Sequence, residues 1–216
     1  MFPERRGWFS EYYEESKSWT PPGFRSWAEY EEKSASLRDW WPSLISGLVQ
    51  TEDYARAVLA IQPGVSDEIV AARLKARMER QRRVLMREEP PSAWIIVDEM
   101  ALYRLVGSPR VMAEQMRRLA DVASRPNVTL TVMPPVLHPA NESGFILTEN
   151  AAYAEHVAGG FVYTDDQIVS SLVTRFDSLR AESRRASESR ALIERMIGIW
   201  THGARAATAE ATAGPA

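Results

Sequence analysis

Apolar positions recur along this chain with two periods, and the way the periods alternate predicts its architecture. Tyr54, Val58 and Leu59 form a helical stripe behind Thr51, a good N-cap, while Glu52 and Asp53 place negative charge on the first turn. Ser66-Asp67-Glu68 precede Ile69, Val70, Leu74 and Met78 at the same spacing and predict a long helix to about Met86, closed by Glu88-Glu89-Pro90-Pro91. Residues 93–97 (A-W-I-I-V) form a short apolar run, and residues 128–133 alternate β-branched and apolar side chains, so both read as buried strands. A helix over 109–123 separates them. Strand, helix of about a dozen residues, strand is a crossover unit, which makes these two strands parallel. The expected fold class is α/β, a small mixed sheet flanked by several helices.

Residues 145–148 and 152–157 read as two further strands, paired as a hairpin through Glu149-Asn150, with 161–163 extending the sheet edge after a Gly159-Gly160 turn. Asp165-Asp166 then opens a helix carrying Ile168, Leu172, Val173, Phe176 and Leu179, and Ser187-Glu188 start a last one through Leu192, Ile193, Met196 and Trp200. From Thr201 the chain is rich in Ala, Thr and Gly and is expected to be disordered. Residues 8–41 are rich in aromatics and broken by Pro21-Pro22-Gly23; Phe24, Trp27 and Tyr30 keep helical spacing. These rings read as packing before they read as a ligand cage. The expected organisation is an aromatic-rich helical extension (1–36), an α/β domain (37–200) and a tail (201–216).

Composition narrows the functions. A chain of 216 residues with 45% hydrophobic and 25% charged content is long enough for one sizeable core. A net charge of −3 argues against a nucleic-acid surface as the chief function, since phosphate recognition uses a basic field. The exception to weigh is the run Arg73, Arg77, Arg80, Arg82, Arg83 and Arg87. An RNA contact through Arg77 to Arg87 is open, but Glu79, Glu88 and Glu89 stand ready to pair with that face. The absence of cysteine removes thiol nucleophiles, disulfides and thiolate metal sites together. No signal-like or membrane-crossing stretch is visible, so a cytoplasmic protein without membrane partners is expected.

Dinucleotide-binding, phosphate-loop, zinc-protease and serine-hydrolase motifs are all missing, and His138, His156 and His202 have no metal-ligand spacing, so neither metal nor cofactor is expected. Two features remain. The connection 134–144, which contains His138, leaves the end of the 128–133 strand, where open α/β sheets form ligand crevices. Asp98-Glu99 and Glu155-His156 are placed at strand ends, which converge on crevices; if neighbouring, they could accept a cationic ligand. If the protein is an enzyme, Glu99, Glu155 and His156 are its catalytic candidates, with the two carboxylates dividing acid and base roles as a transferase or hydrolase of specialised metabolism. The competing structural reading has Glu99 capping the turn 100–104 and Glu155 pairing with an arginine such as Arg104.

The segment Ile45-Ser46-Gly47-Leu48-Val49-Gln50-Thr51-Glu52-Asp53-Tyr54-Ala55-Arg56-Ala57 resembles the run V-P-G-L-L-Q-T-E-D-Y-A-R-A of the WhiJ-like Xre family, antitoxin-like actinobacterial transcription regulators, with Ser46 in place of proline. The likeness continues through 77–85 (R-M-E-R-Q-R-R-V-L), 97–107 (V-D-E-M-A-L-Y-R-L-V-G), 125–134 (R-P-N-V-T-L-T-V-M-P), 153–155, 176–180 and 188–190, and so covers roughly positions 8 to 197. Gln50, Tyr54, Arg56, Arg77, Arg80, Gln81, Glu99, Arg104, Gln115 and Glu155 match its pattern. The resemblance implies a non-enzymatic regulatory domain, the effector- or partner-binding half of such a regulator. Its ligand- or partner-binding candidates are Gln50, Tyr54, Arg77, Arg80, Gln81, Glu99, Arg104, His138 and Glu155. The partner would be a small molecule or a small protein, with a homodimer open. In that family a helix-turn-helix precedes this domain. Because the chain begins near the point where that unit would end, no direct DNA binding is expected from it.

Overall fold

The computed structural model describes residues 24–138, 140, 143–156 and 159–213. Helix α1 (Phe24–Lys33) leads into strand β1 (Ser36–Trp41), followed by α2 (Glu52–Ala60) and α3 (Asp67–Leu85). Strand β2 (Ser92–Asp98), the short α4 (Glu99–Tyr103), α5 (Pro109–Val122) and β3 (Val128–Met133) come next. The chain closes with β4 (Phe145–Leu147), β5 (Ala152–His156), β6 (Gly159–Tyr163), α6 (Asp166–Glu182) and α7 (Ala186–Ala213).

One six-stranded sheet of order β3-β2-β1-β4-β5-β6 organises the molecule. Strands β1, β2 and β3 are parallel, and β4, β5 and β6 continue as an antiparallel meander. The parallel pairing of β2 with β3 across α5 is the crossover expected from the sequence. The β4–β5 hairpin also matches, but Gly159 and Gly160 lie inside β6 instead of forming its turn. Strand β1, the centre of the sheet, is a departure from expectation. Its sequence S-L-R-D-W-W places Arg38 and Asp39 where an apolar run would announce a buried strand.

Alternation divides the strands between two faces. On the first, Leu37, Ile95, Val97, Leu130, Val132, Ile146 and Tyr153 pack beneath α1, α2, α3, α5 and α7. On the second, Trp40, Ile96, Met133, Phe145, Leu147 and Ala152 pack against Val169, Phe176 and Leu179 of α6. The Phe145 and Phe176 rings meet edge to face at 6.5 Å. At the outer edge of β3 Val132 is paired by the α6–α7 connection and the start of α7: Ser189 Oγ accepts from Val132 N at 2.9 Å and Arg184 N donates to Val132 O at 2.9 Å, which blunts the strand edge there.

Two expected boundaries read differently in three dimensions. Trp27 of α1 is fully buried in the first-face core, so this helix belongs to the main domain. Helix α7 continues past Thr201 to Ala213, through residues whose composition suggests disorder. The aromatics before residue 24 lie outside the described residues.

Candidate functional site

The segment that carries the family resemblance is the β1–α2 connection, and its polar side chains serve first to hold it in place. Thr51 Oγ1 caps α2 by accepting from Tyr54 N at 3.3 Å. Tyr54, fully buried, accepts from Ile45 N through its hydroxyl at 3.3 Å, and Gln50 Nε2 donates to Ile45 O at 2.6 Å. Gln81 on α3 donates to both Gly47 O and Gln50 O at 2.9 Å. Gln115 on α5 donates to Val49 O at 2.9 Å and accepts from Thr51 N at 2.7 Å. A buried loop must satisfy its backbone groups from somewhere, and here side-chain amides do so. Gln50, Tyr54 and Gln81, all ligand candidates from the sequence, are thus directed at this loop.

Beneath the loop, on the first face of the sheet, charged groups gather. Arg80 clasps Glu31 of α1 through two bonds of 2.6 Å, from Nε and from Nη2, and Glu31 is completely buried. Asp39 of β1, 1% exposed, accepts from the Ser46 hydroxyl. Burial pushes its carboxyl up to about 6, against the pull of Ser46 and of the Arg80 charge. Among the described residues, Asp39 Oδ1, Trp27 Nε1 and Trp41 Nε1 are buried with no partner in hydrogen-bond geometry, although Trp41 stands near enough to favour the Asp39 charge.

Arg77 and Glu155 complete this group. Arg77 Nη1 donates to Gln50 Oε1 at 2.7 Å. Burial, and next the adjacent Arg80 charge, push the Arg77 guanidinium down to about 10, while Glu155 acts in the opposite sense. Surrounding protein raises the Glu155 carboxyl, opposed by Arg77 and Arg80, yet its side chain still reaches solvent. Tyr153, two residues earlier on the same face, has its hydroxyl pushed up chiefly by burial, with the Glu155 charge adding to it. Trp27 covers the Tyr153 ring at 5.9 Å.

Glu99 lies elsewhere. Strands β1 and β4 stand between β2 and β5, so Glu99 and Glu155 do not meet despite ending on the same edge of the sheet. The Glu99 carboxylate accepts from Arg184 Nη2 at 2.7 Å and Nε at 3.1 Å. Asp98, not Glu99, caps α4, accepting from Met100 N at 2.7 Å. The arginines that act on Glu155 are Arg77 and Arg80 instead of Arg104, whose charge bears on Tyr54 and Asp98. His138 is buried edge-on to Trp40 at 5.0 Å, accepts from Ala140 N at 3.2 Å, and is lowered by burial against the charge of Asp98. It therefore belongs to the β2 end and not to the Arg77–Glu155 group. His156 pairs with Gly159 through its strand position; its side chain lies outside the described residues.

The arginine run on α3 does not form one basic face. Arg77 and Arg80 turn inward, Arg83 pairs with Glu79 and Glu32, and Arg87 donates to the carbonyls of Glu32, Ser34 and Glu89. No group of three or more His, Asp or Glu suited to a metal ion occurs among the described residues. No described helix is long and apolar enough to cross a membrane.

Glu31, Asp39, Ser46, Tyr153 and Arg184 are not among the site candidates that the sequence offers. For Asp39 a signal existed: it shares a face with Leu37 and Trp41 at a period of two, so an interior position follows once β1 is read as a strand.

A family model matches residues 24–195, from the first residue of α1 into α7. The chain belongs to the family described as Domain of unknown function (DUF5753). No curated protein and no solved structure matches it. The matched range contains every member of the charged group, from Glu31 to Glu155.

Proposed function

We propose that this chain is a non-enzymatic regulatory domain, the effector- or partner-binding half of an antitoxin-like transcription regulator of the WhiJ-like Xre type. The observation that carries the reading is the placement of the resembling residues. Those of 45–57, 77–85 and 153–155 converge on one polar group beneath one loop, and most of their hydrogen bonds hold that loop. A ligand that engages the group can thereby shift the loop, which is what an effector site requires. Support also comes from the carboxyl edge of the sheet, where Met100, Tyr103 and Leu105 after β2 and Val136 and Leu137 after β3 are exposed; Leu137 is 94% exposed. Large apolar side chains concentrated on neighbouring connections suit a small protein partner.

The enzyme alternative rested on Glu99, Glu155 and His156 facing one substrate. With Glu99 paired to Arg184 and two strands intervening, that trio has no common centre. Native mass spectrometry of the gently purified full chain tests the reading. A co-purifying small protein or an unaltered metabolite is the expected result. Steady turnover of the bound metabolite, abolished by Glu155→Gln, would overturn it.

A further inference from the structure

Glu155 has an unusual pair of neighbours. Its direct partner across β5 and β6 is Gly160, and extending the β4–β5 register by one residue places Gly144 on its other side. Neither glycine position is empty space. A Cβ on Gly160 would fall 1.9 Å from the Tyr153 hydroxyl and 2.3 Å from its ring, and one on Gly144 would fall 2.3 Å from Cε3 of the Trp41 indole. The row through Glu155 therefore consists of a carboxylate between two glycines, each covered by an aromatic ring.

Arg77 faces this row from α3. Among the described residues its only hydrogen bond is the one from Nη1 to Gln50, and the rest of its fork has no protein acceptor. Among the described residues the Glu155 side chain likewise has no hydrogen bond or ion pair; the two charges act on each other without contact. The neighbouring Arg80 shows the alternative, a guanidinium fully engaged by its own carboxylate, Glu31. A fork that remains open and a carboxylate walled by aromatic rings offer complementary chemistry. Guanidinium binds carboxylate in parallel bonds, and a carboxylate flanked by π faces holds an ammonium group.

We propose that Arg77 and Glu155, with Trp41 and Tyr153 as walls, bind a small zwitterion of the α-amino acid class, its carboxylate on Arg77 and its ammonium on Glu155. The assignment rests on the effector-sensor reading and names its ligand chemistry. A ligand with one charge satisfies one group and, by covering the site, takes the other out of water without giving it a partner, so the site discriminates against simple amines and simple acids. The raised carboxyl of Glu155 and the lowered guanidinium of Arg77 agree with two charges that the protein only partly compensates.

The test is calorimetric titration of the full chain with each proteinogenic L-α-amino acid, with propylamine and propionate as one-charge probes. At least one amino acid is expected to bind and neither control to do so, with Glu155→Gln and Arg77→Lys each weakening binding about tenfold or more. Glu155 is exposed, so its variant keeps the fold, checked by circular dichroism, and decides the matter alone if the Arg77 variant unfolds. Absence of binding across the whole panel, or binding unchanged in Glu155→Gln, overturns the site. A null titration alongside a captured small protein would remove the amino-acid ligand and leave the regulatory reading intact; conversion of a bound amino acid would keep the site and remove the non-enzymatic reading.

Discussion

The two faces of the sheet are made from the same strands but solve burial differently. The second face is apolar at its centre, where Trp40, Phe145, Phe176 and Leu179 fill the space under α6, and its cations stay at the rim, with Arg38 and Arg180 lying over the Trp94 ring at 5.9 and 5.6 Å. The first face interrupts its core with Glu31, Asp39, Arg77 and Arg80. Each of those charges forgoes hydration, so the first face gives up stability that an apolar filling would have supplied. Retaining them costs free energy that the second face shows to be avoidable. This is the physical reason for placing the proposed effector site on the first face.

Breaking either side tests the contrast, and the largest effects should come from its centres. Phe176→Ala is expected to lose about 3–5 kcal/mol through a cavity, with no dependence on pH between 4 and 8. Glu31→Ala is expected to lose about 3–5 kcal/mol by removing the carboxylate that both ends of the buried Arg80 fork engage, and adding Arg80→Met should restore much of it. Urea denaturation of the four proteins separates the cases, since a cavity loss cannot be repaired by removing a distant charge. Failure of the double variant to recover would deny that the first face is held by paired charge.

Asp39 gives the next largest effect and sharpens the comparison in pH. Its carboxyl titrates near 6 in the fold against 3.8 in the unfolded chain, so ionising it disfavours the fold by on the order of 3 kcal/mol. Below about pH 4 both states are protonated and the penalty vanishes. As pH rises through the window from about 4 to about 6 the fold holds the proton that the unfolded chain releases, so stability falls, and above about 6 the loss is complete. Asp39→Asn is expected to raise stability at pH 7 by up to about 3 kcal/mol and to flatten this part of the profile, read from thermal midpoints across pH. A profile with unchanged slope would show that Asp39 is not the group responsible.

Gly144→Ala should cost about 1–3 kcal/mol, because the added methyl meets both the Trp41 ring and, at 2.9 Å, the Trp40 carbonyl oxygen. Glu99→Gln is expected to cost less than about 1 kcal/mol, since Arg184 is 39% exposed and its ion pair is screened. That small loss, seen by chemical denaturation, would mark Glu99 as a surface tie in contrast to the buried Glu31.

The elements with strong local signals were legible in the sequence. Thr51 and Ser66 cap the helices they were expected to cap, and the 128–133 alternation is strand β3. Strand β1 is hidden because Arg38 and Asp39 interrupt the apolar run that would announce a buried strand. The pairing of Glu99 with Glu155 failed for a different reason. Both residues were correctly put at strand ends, but strand order is a property of the whole chain, and β4 enters beside β1 from far along the sequence. Arg77 and Arg80 stand out in the sequence through the arginine run and the resemblance, and Glu155 through its strand-end position as well, but the division into one engaged and one open arginine appears only in three dimensions.

The interlock of Tyr153 with Gly160 carries an evolutionary consequence. Because a side chain at the second position would occupy the volume of the phenol at the first, the second cannot gain one while the first keeps its ring. Homologues should preserve both together or exchange them in one coordinated step, a smaller residue at the first accompanying a side chain at the second. A tyrosine ring over a bare backbone thus turns an ordinary glycine into a recorder of ancestry, readable as a correlated change wherever the family is aligned.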